Sequence, residues 1–166
     1  MLDVRPNEFE TTPVWLQPDT FAQVVELTPL VSLDLVLRDS ERRILVGYRN
    51  NRPAQGTWFV PGGRVGKNET RAAAWSRITL SELGTRSLTF ERARFLDVYE
   101  HLYPDNFAGR PDFGTHYVVL AYEIEVDPAE LHLRQADAQH GGFLWLSEAE
   151  LVQRPDVHPY TKAYCS

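Results

Sequence analysis

Apolar residues recur along this chain in short runs and at helical spacings, and their alternation predicts an α/β order. Residues 30–38 (LVSLDLVLR) are apolar enough to read as a buried strand, with residues 43–49 (RILVGYR) as its partner across a turn at residues 39–41. Upstream, Phe21, Val24, Val25 and Leu27 or Leu30 fall near helical spacing behind Pro18 and Asp19, and Pro29 ends that helix. Residues 58–60 read as a further short strand, followed by strands at 93–101, 115–126 and 142–146. Residues 147–153 predict a short helix with Ser147 as N-cap and Glu150 at N3, a capping box. The expected architecture is α/β, a mixed sheet with helices on both faces. Residues 1–13 are polar and without period, a loose N-terminal extension, and residues 14–166 read as a single domain without repeats or a linker.

The chain is organised around residues 58–84, WFVPGGRVGKNETRAAAWSRITLSELG. Pro61 breaks the strand, and Gly62 and Gly63, lacking a Cβ, let backbone come close to whatever binds there. A polar loop then leads to a helix expected to start near Glu69 or Thr70, with Asn68 as N-cap and Gly84 just past its end. Its last turn carries Glu82.

Composition narrows the functional classes. A formal net charge of −6 disfavours a general nucleic-acid binder, which presents a basic face. A single cysteine, Cys165, rules out an internal disulfide and suits a reducing cytoplasm. No run approaches 18 apolar residues and the acidic N-terminus has no apolar signal core, so neither a membrane span nor a signal peptide is expected.

Several polar residues stand where a strand or loop has no structural need of them. Asp34 interrupts an apolar strand, and an ionised carboxylate there costs several kcal/mol unless it is paired, set in a cleft, or on an exposed face. Arg49 closes the next strand and Arg64 follows the glycines; guanidinium groups in such places clamp a diphosphate bidentately, or serve as surface charges. Residues 99–116 form a long aromatic loop of the kind that carries function, flanked by His101 and Tyr117. His101 reads equally well as a buried histidine satisfied by one neighbour. Gln139 and His140 precede the strand FLWL, and His140 is either a general base or a surface loop histidine.

Glu69 follows Gly63 after five intervening residues, Arg77 after seven more, Glu82 five positions later and Gly84 two after that, a spacing that resembles the Nudix box. In a full box the positions of Ile78 and Ser81 would also be glutamates, and the reduced form is similar to the GDP-mannose mannosyl hydrolase branch of the family. The blocks TPLVSLD, NRPAQG, WFVPGGRV, DNF, THYVVL and QH with its following W-L pair extend that likeness over about residues 14–164. The resemblance implies a Nudix α/β/α sandwich and a single Mg²⁺ held by the Gly62 carbonyl, Glu82 and Gln139. It implies His140 as general base, Arg49, Arg64 and Tyr117 around the diphosphate, Asp34 and His101 around the sugar, and Trp15, Leu16 and Phe21 near the nucleotide. The implied reaction is water attack at the anomeric carbon of a GDP-hexose, releasing GDP and inverted free sugar, in a cytoplasmic homodimer. Two alternatives stand beside it: an ordinary pyrophosphohydrolase that cleaves a nucleotide sugar at phosphorus, and a sensor that binds without turnover.

Overall fold

The structure is a computed structural model describing residues 15–133 and 140–165; the N-terminal extension and Gln139 lie outside the described residues. Strands β1 (Leu30–Arg38) and β6 (Thr115–Glu125) run parallel at its centre, in register from Leu30 opposite Tyr117 to Arg38 opposite Glu125. β2 (Ile44–Arg49) and β3 (Trp58–Phe59) lie to one side, and β5 (Arg94–Tyr103) lies to the other, antiparallel to β6. The parallel pair and its antiparallel neighbours make the sheet mixed, as the pattern predicts.

β1 alternates strictly. Leu33, Leu35 and Leu37 enter one core with Trp75, Ile78 and Leu83, while Asp34, Val36 and Arg38 face the opposite side, where Val36 joins Ile44, Phe59, Leu151 and Tyr164. Helix α1 (Pro18–Leu27) precedes β1 and buries Ala22 and Val25. Helix α2 (Arg71–Leu83) supplies Trp75 and Ile78 to the first core. Strand β7 (His140–Leu146) pairs with β2 and leads into helix α3 (Glu148–Gln153) and the short α4 (Pro159–Lys162), which cover the second core.

Three local expectations change. The predicted hairpin between β1 and β2 is joined only where Arg38 meets Ile44, because the middle of β1 is paired instead by β4 (Gly62–Arg64). Beyond the break expected at Pro61 the glycines are therefore a strand of their own: Gly62 lies opposite Asp34, and a Cβ on it would come within 2.6 Å of the Leu33 carbonyl and 2.8 Å of Asp34 Oδ1. The N-cap of α2 is Thr70, whose hydroxyl accepts from the Ala73 N–H at 3.2 Å; Asn68 sits at φ 64°, left-handed and so outside the extended conformation of a cap. Gly84 ends the helix at φ 68° as expected. Helix α4 was not legible at all, being one turn long with His158 as its cap.

Candidate active site

Six of the residues singled out from the sequence, Asp34, Arg49, Gly62, Arg64, His101 and Tyr117, line one cleft at the ends of β1, β2, β4, β5 and β6. Asp34 is 6% exposed, and its Oδ2 accepts a hydrogen bond of 2.7 Å from the Tyr164 hydroxyl. Burial pushes its carboxyl up to about 7, against the opposing pull of that hydrogen bond and of the Arg49 charge. The buried carboxylate thus has the cleft and the hydroxyl partner that an apolar strand demands of it.

The two guanidinium groups are held differently. Arg49 donates from Nε to the Pro53 carbonyl at 3.1 Å. Arg64 spreads its guanidinium over Phe21, 3.8 Å from the ring centroid, with Trp15 at 5.7 Å. Among the described residues neither is within ion-pair distance of a carboxylate, and both line the cleft, where the Arg49 charge acts on Asp34 from beyond contact. Tyr117 stands beside them; burial raises its phenol, and the Arg64 and Arg49 charges pull it back.

His101 is 3% exposed. Its ring is stacked on Tyr160, centroids 4.1 Å apart and 1° from parallel, and Phe59 meets it edge-on. Burial, then the neighbouring His158, lowers its pKa to about 4, so at neutral pH it is an uncharged imidazole. Its Nε2 is buried and has no hydrogen-bond partner among the described residues.

A second, apolar cavity adjoins the first through Arg64, which lines both. Trp15, Leu16, Phe21 and Phe107 form its walls, and Lys67 and Arg77 stand at its edge. Phe107 packs on Phe21 with centroids 4.7 Å apart. Its loop is templated by the fully buried Asn106, which donates to the carbonyls of Arg110 and Phe113 and accepts from the N–H groups of Ala108 and Arg110.

The family of Nudix domains matches residues 28–165. The chain belongs to the Nudix family. Over 166 residues it is 36% identical to the low-salt glycan biosynthesis protein Agl8 of Haloferax volcanii, covering 99% of this chain and 97% of that one. Among solved structures it is similar to a MutT Nudix hydrolase from Burkholderia pseudomallei (26% identity, TM-score 0.64, covering 82% and 95% of the two chains). It also shares its fold with a MutT protein from Methanosarcina mazei Go1 (18% identity, TM-score 0.60, 82% and 91%). No helix among the described residues is long and apolar enough to cross a membrane.

The Nudix box can now be read in space. Glu69 and Arg77 form a bidentate pair at 2.8 Å, Glu69 also accepts from the Gly66 N–H, and Arg77 donates to the Arg64 carbonyl at 2.6 Å. This network ties the loop before α2 to the strand that carries Arg64. Ile78, standing where a full box has a glutamate, is core: a Cβ on Gly63 would meet its Cγ1 at 3.0 Å. Ser81 turns its hydroxyl back to the Ile78 carbonyl.

Nudix hydrolases generally use divalent ions such as Mg²⁺, and the residues present suit one. Glu82 is buried in the last turn of α2, and α2 packs on β4, the strand that holds Gly62. A backbone carbonyl and a carboxylate are both hard oxygen donors. Glu82 lines neither cavity, Gln139 lies outside the described residues, and His140 enters by its backbone, opposite Arg49 in the β2–β7 ladder. Sequence reasoning missed Tyr103, Phe107 and the tyrosines of the C-terminal turn. Tyr103 was within reach, since it lies two residues beyond His101 on the same face of β5 and lines the same cleft.

Proposed function

We propose that this Nudix hydrolase cleaves a GDP-hexose, GDP-mannose or GDP-glucose, at the anomeric carbon, giving GDP and inverted free hexose. The observation that carries this reading is that Arg64 lines both cavities: an aromatic one suited to a base, and a polar one, holding Arg49, Tyr117, Asp34 and His101, suited to a diphosphate and a sugar. The reduced box supports it further, because water activated at phosphorus makes more use of adjacent box glutamates than does departure of GDP from carbon.

In this reading the base lies on Phe21, Trp15 and Leu16, while Arg49, Arg64 and Tyr117 bind the diphosphate and stabilise the charge it gains on leaving. Asp34 accepts from a sugar hydroxyl, and His101, uncharged, forms the wall beside the sugar. His140 takes the proton of the attacking water. A single Mg²⁺, held by the Gly62 carbonyl, Glu82 and Gln139, would add Lewis-acid neutralisation of the diphosphate. The Haloferax volcanii relative is named for glycan biosynthesis, a setting that a hydrolase of activated sugars fits.

The test is incubation with GDP-mannose and Mg²⁺ in ¹⁸O-labelled water. Label in the hexose, with GDP as co-product, is expected. GMP and hexose 1-phosphate would instead indicate a pyrophosphohydrolase, and no product from either GDP-hexose would leave binding without turnover.

A further inference from the structure

Asp34 and His101, the two groups assigned above to the sugar, are both held from the C-terminal turn. Tyr160 and Tyr164 lie four residues apart there, at and just beyond α4. Tyr164, itself 4% exposed, donates to Asp34 Oδ2 inside the core. The other oxygen, Oδ1, is the one beside Gly62 on the cleft side. Tyr160 lies flat on the His101 ring, and its hydroxyl both accepts from the Leu102 N–H and donates to the Leu102 carbonyl, each at 2.9 Å. It cannot leave the ring without breaking two bonds to the residue next to His101.

Asp34 is therefore restrained at one oxygen and left with the other, Oδ1, to offer, while the stack on Tyr160 holds the His101 ring in the cleft wall. An acceptor free to rotate would follow a hydroxyl to either of two epimeric positions. A carboxylate fixed by a buried hydrogen bond cannot, and it leaves the wrong epimer mispaired in a dry site, which is how polar pockets reject near-isosteric substrates.

We infer that Tyr164 is a positioning residue that sets hexose selectivity by fixing the direction of the Asp34 carboxylate, with Tyr160 restraining His101 in the same way. The inference rests on the proposed GDP-hexose reading. Its test is Tyr164→Phe, which removes one oxygen and keeps the packing, beside Tyr160→Phe, which keeps the stack on His101 and loses the tie to Leu102.

For each protein, kcat/KM is measured on GDP-mannose and GDP-glucose, and GDP affinity by calorimetry. In Tyr164→Phe the ratio between the two sugars should move toward unity by at least ~5-fold, a part of the roughly 10–200-fold by which small steric or polar differences are discriminated. GDP affinity should stay within about twofold, because GDP carries no sugar at that end. Tyr160→Phe should shift the ratio less, in the same direction. A ratio that holds while both activities fall together would make Tyr164 merely structural and overturn the inference, as would a loss of GDP affinity or a parent that does not distinguish the sugars. If the parent turns over neither GDP-hexose, the functional reading fails separately, and the inference is judged on calorimetric affinities of the two GDP-hexoses by the same criterion.

Discussion

Asp34 and Arg38 lie four residues apart on the same face of β1, and both are almost fully buried, at 6% and 1% exposure. Arg38 is matched on every side. Its Nε pairs with Glu123 at 2.6 Å, its Nη1 with Glu148 at 2.7 Å, and further bonds reach the carbonyls of Arg42 and Tyr164. Among the described residues Asp34 has a single neutral donor, Tyr164, and its carboxyl is raised to about 7. A buried charge whose valences are filled by the protein belongs to the fold. One left with an oxygen toward a cleft, beside two arginines without carboxylate partners among the described residues, is arranged for a ligand.

The sharpest way to break this contrast is to exchange the two losses. Arg38→Met leaves Glu123 with Arg94 as its only cation among the described residues and turns the part-exposed Glu148 to solvent, and should cost up to about 3–5 kcal/mol of unfolding free energy by denaturant titration, the usual penalty for removing one member of a buried pair. Asp34→Asn should leave the melting temperature at or above that of the parent, yet lose about 1.5–3 kcal/mol of transition-state binding, tenfold or more in kcat/KM, for the charged hydrogen bond to substrate. Equal destabilisation by the two changes would erase the distinction.

Glu82 extends the comparison to a third buried charged residue, on α2. Glu82→Gln keeps the helix, since Gln is a good helix former, and should reduce Mg²⁺-dependent turnover by at least the ~100-fold that even outer partners of a metal ligand can cost. Near-parental activity at saturating Mg²⁺ would remove Glu82 from the site. Arg49→Lys tests the cationic side: an ammonium cannot copy a bidentate fork, so the rate should drop by more than about twofold, or ~0.5 kcal/mol of barrier. A smaller change would make Arg49 a surface charge.

A pH-dependent effect concerns His101, which the fold keeps neutral. Its pKa in the folded protein is about 4, below the ordinary 6.5, because of burial and then His158. Between those values the unfolded chain takes up a proton that folded His101 refuses, so its contribution to stability is present above pH 6.5 and is lost as pH falls toward 4. His101→Phe preserves the stack on Tyr160 and removes that titration. From pH 7 to 4.5 the variant should lose about 1–2 kcal/mol less stability than the parent; parallel pH profiles would show that His101 is not held neutral.

Much of the site was legible because its signals are local. The spacing from Gly63 to Gly84 marks a strand, loop and helix within one continuous stretch, and Asp34 stood out as the one carboxylate in an apolar run. The capping box at Ser147 and Glu150 forms as read, through reciprocal bonds three residues apart. Misreadings arose where a distant segment decided the outcome. Gly62 and Gly63 form a strand because β1, about thirty residues earlier, pairs with them, whereas the choice of Thr70 over Asn68 as cap is local, set by the left-handed turn at Asn68.

The sequence by itself determined the order of most elements, the buried strand β1 and the stretch in which a Nudix box folds, because periodicity, caps and glycines act over a few residues. Only the tertiary structure decided that Gly62 and Gly63 form a strand on β1, that Arg64 joins two cavities, and that Tyr164 holds one oxygen of Asp34. That last bond spans 130 positions of the chain. No local pattern encodes such a partner: it follows from how the second core closes over the far face of β1, where burial makes one hydroxyl decide which way a carboxylate points.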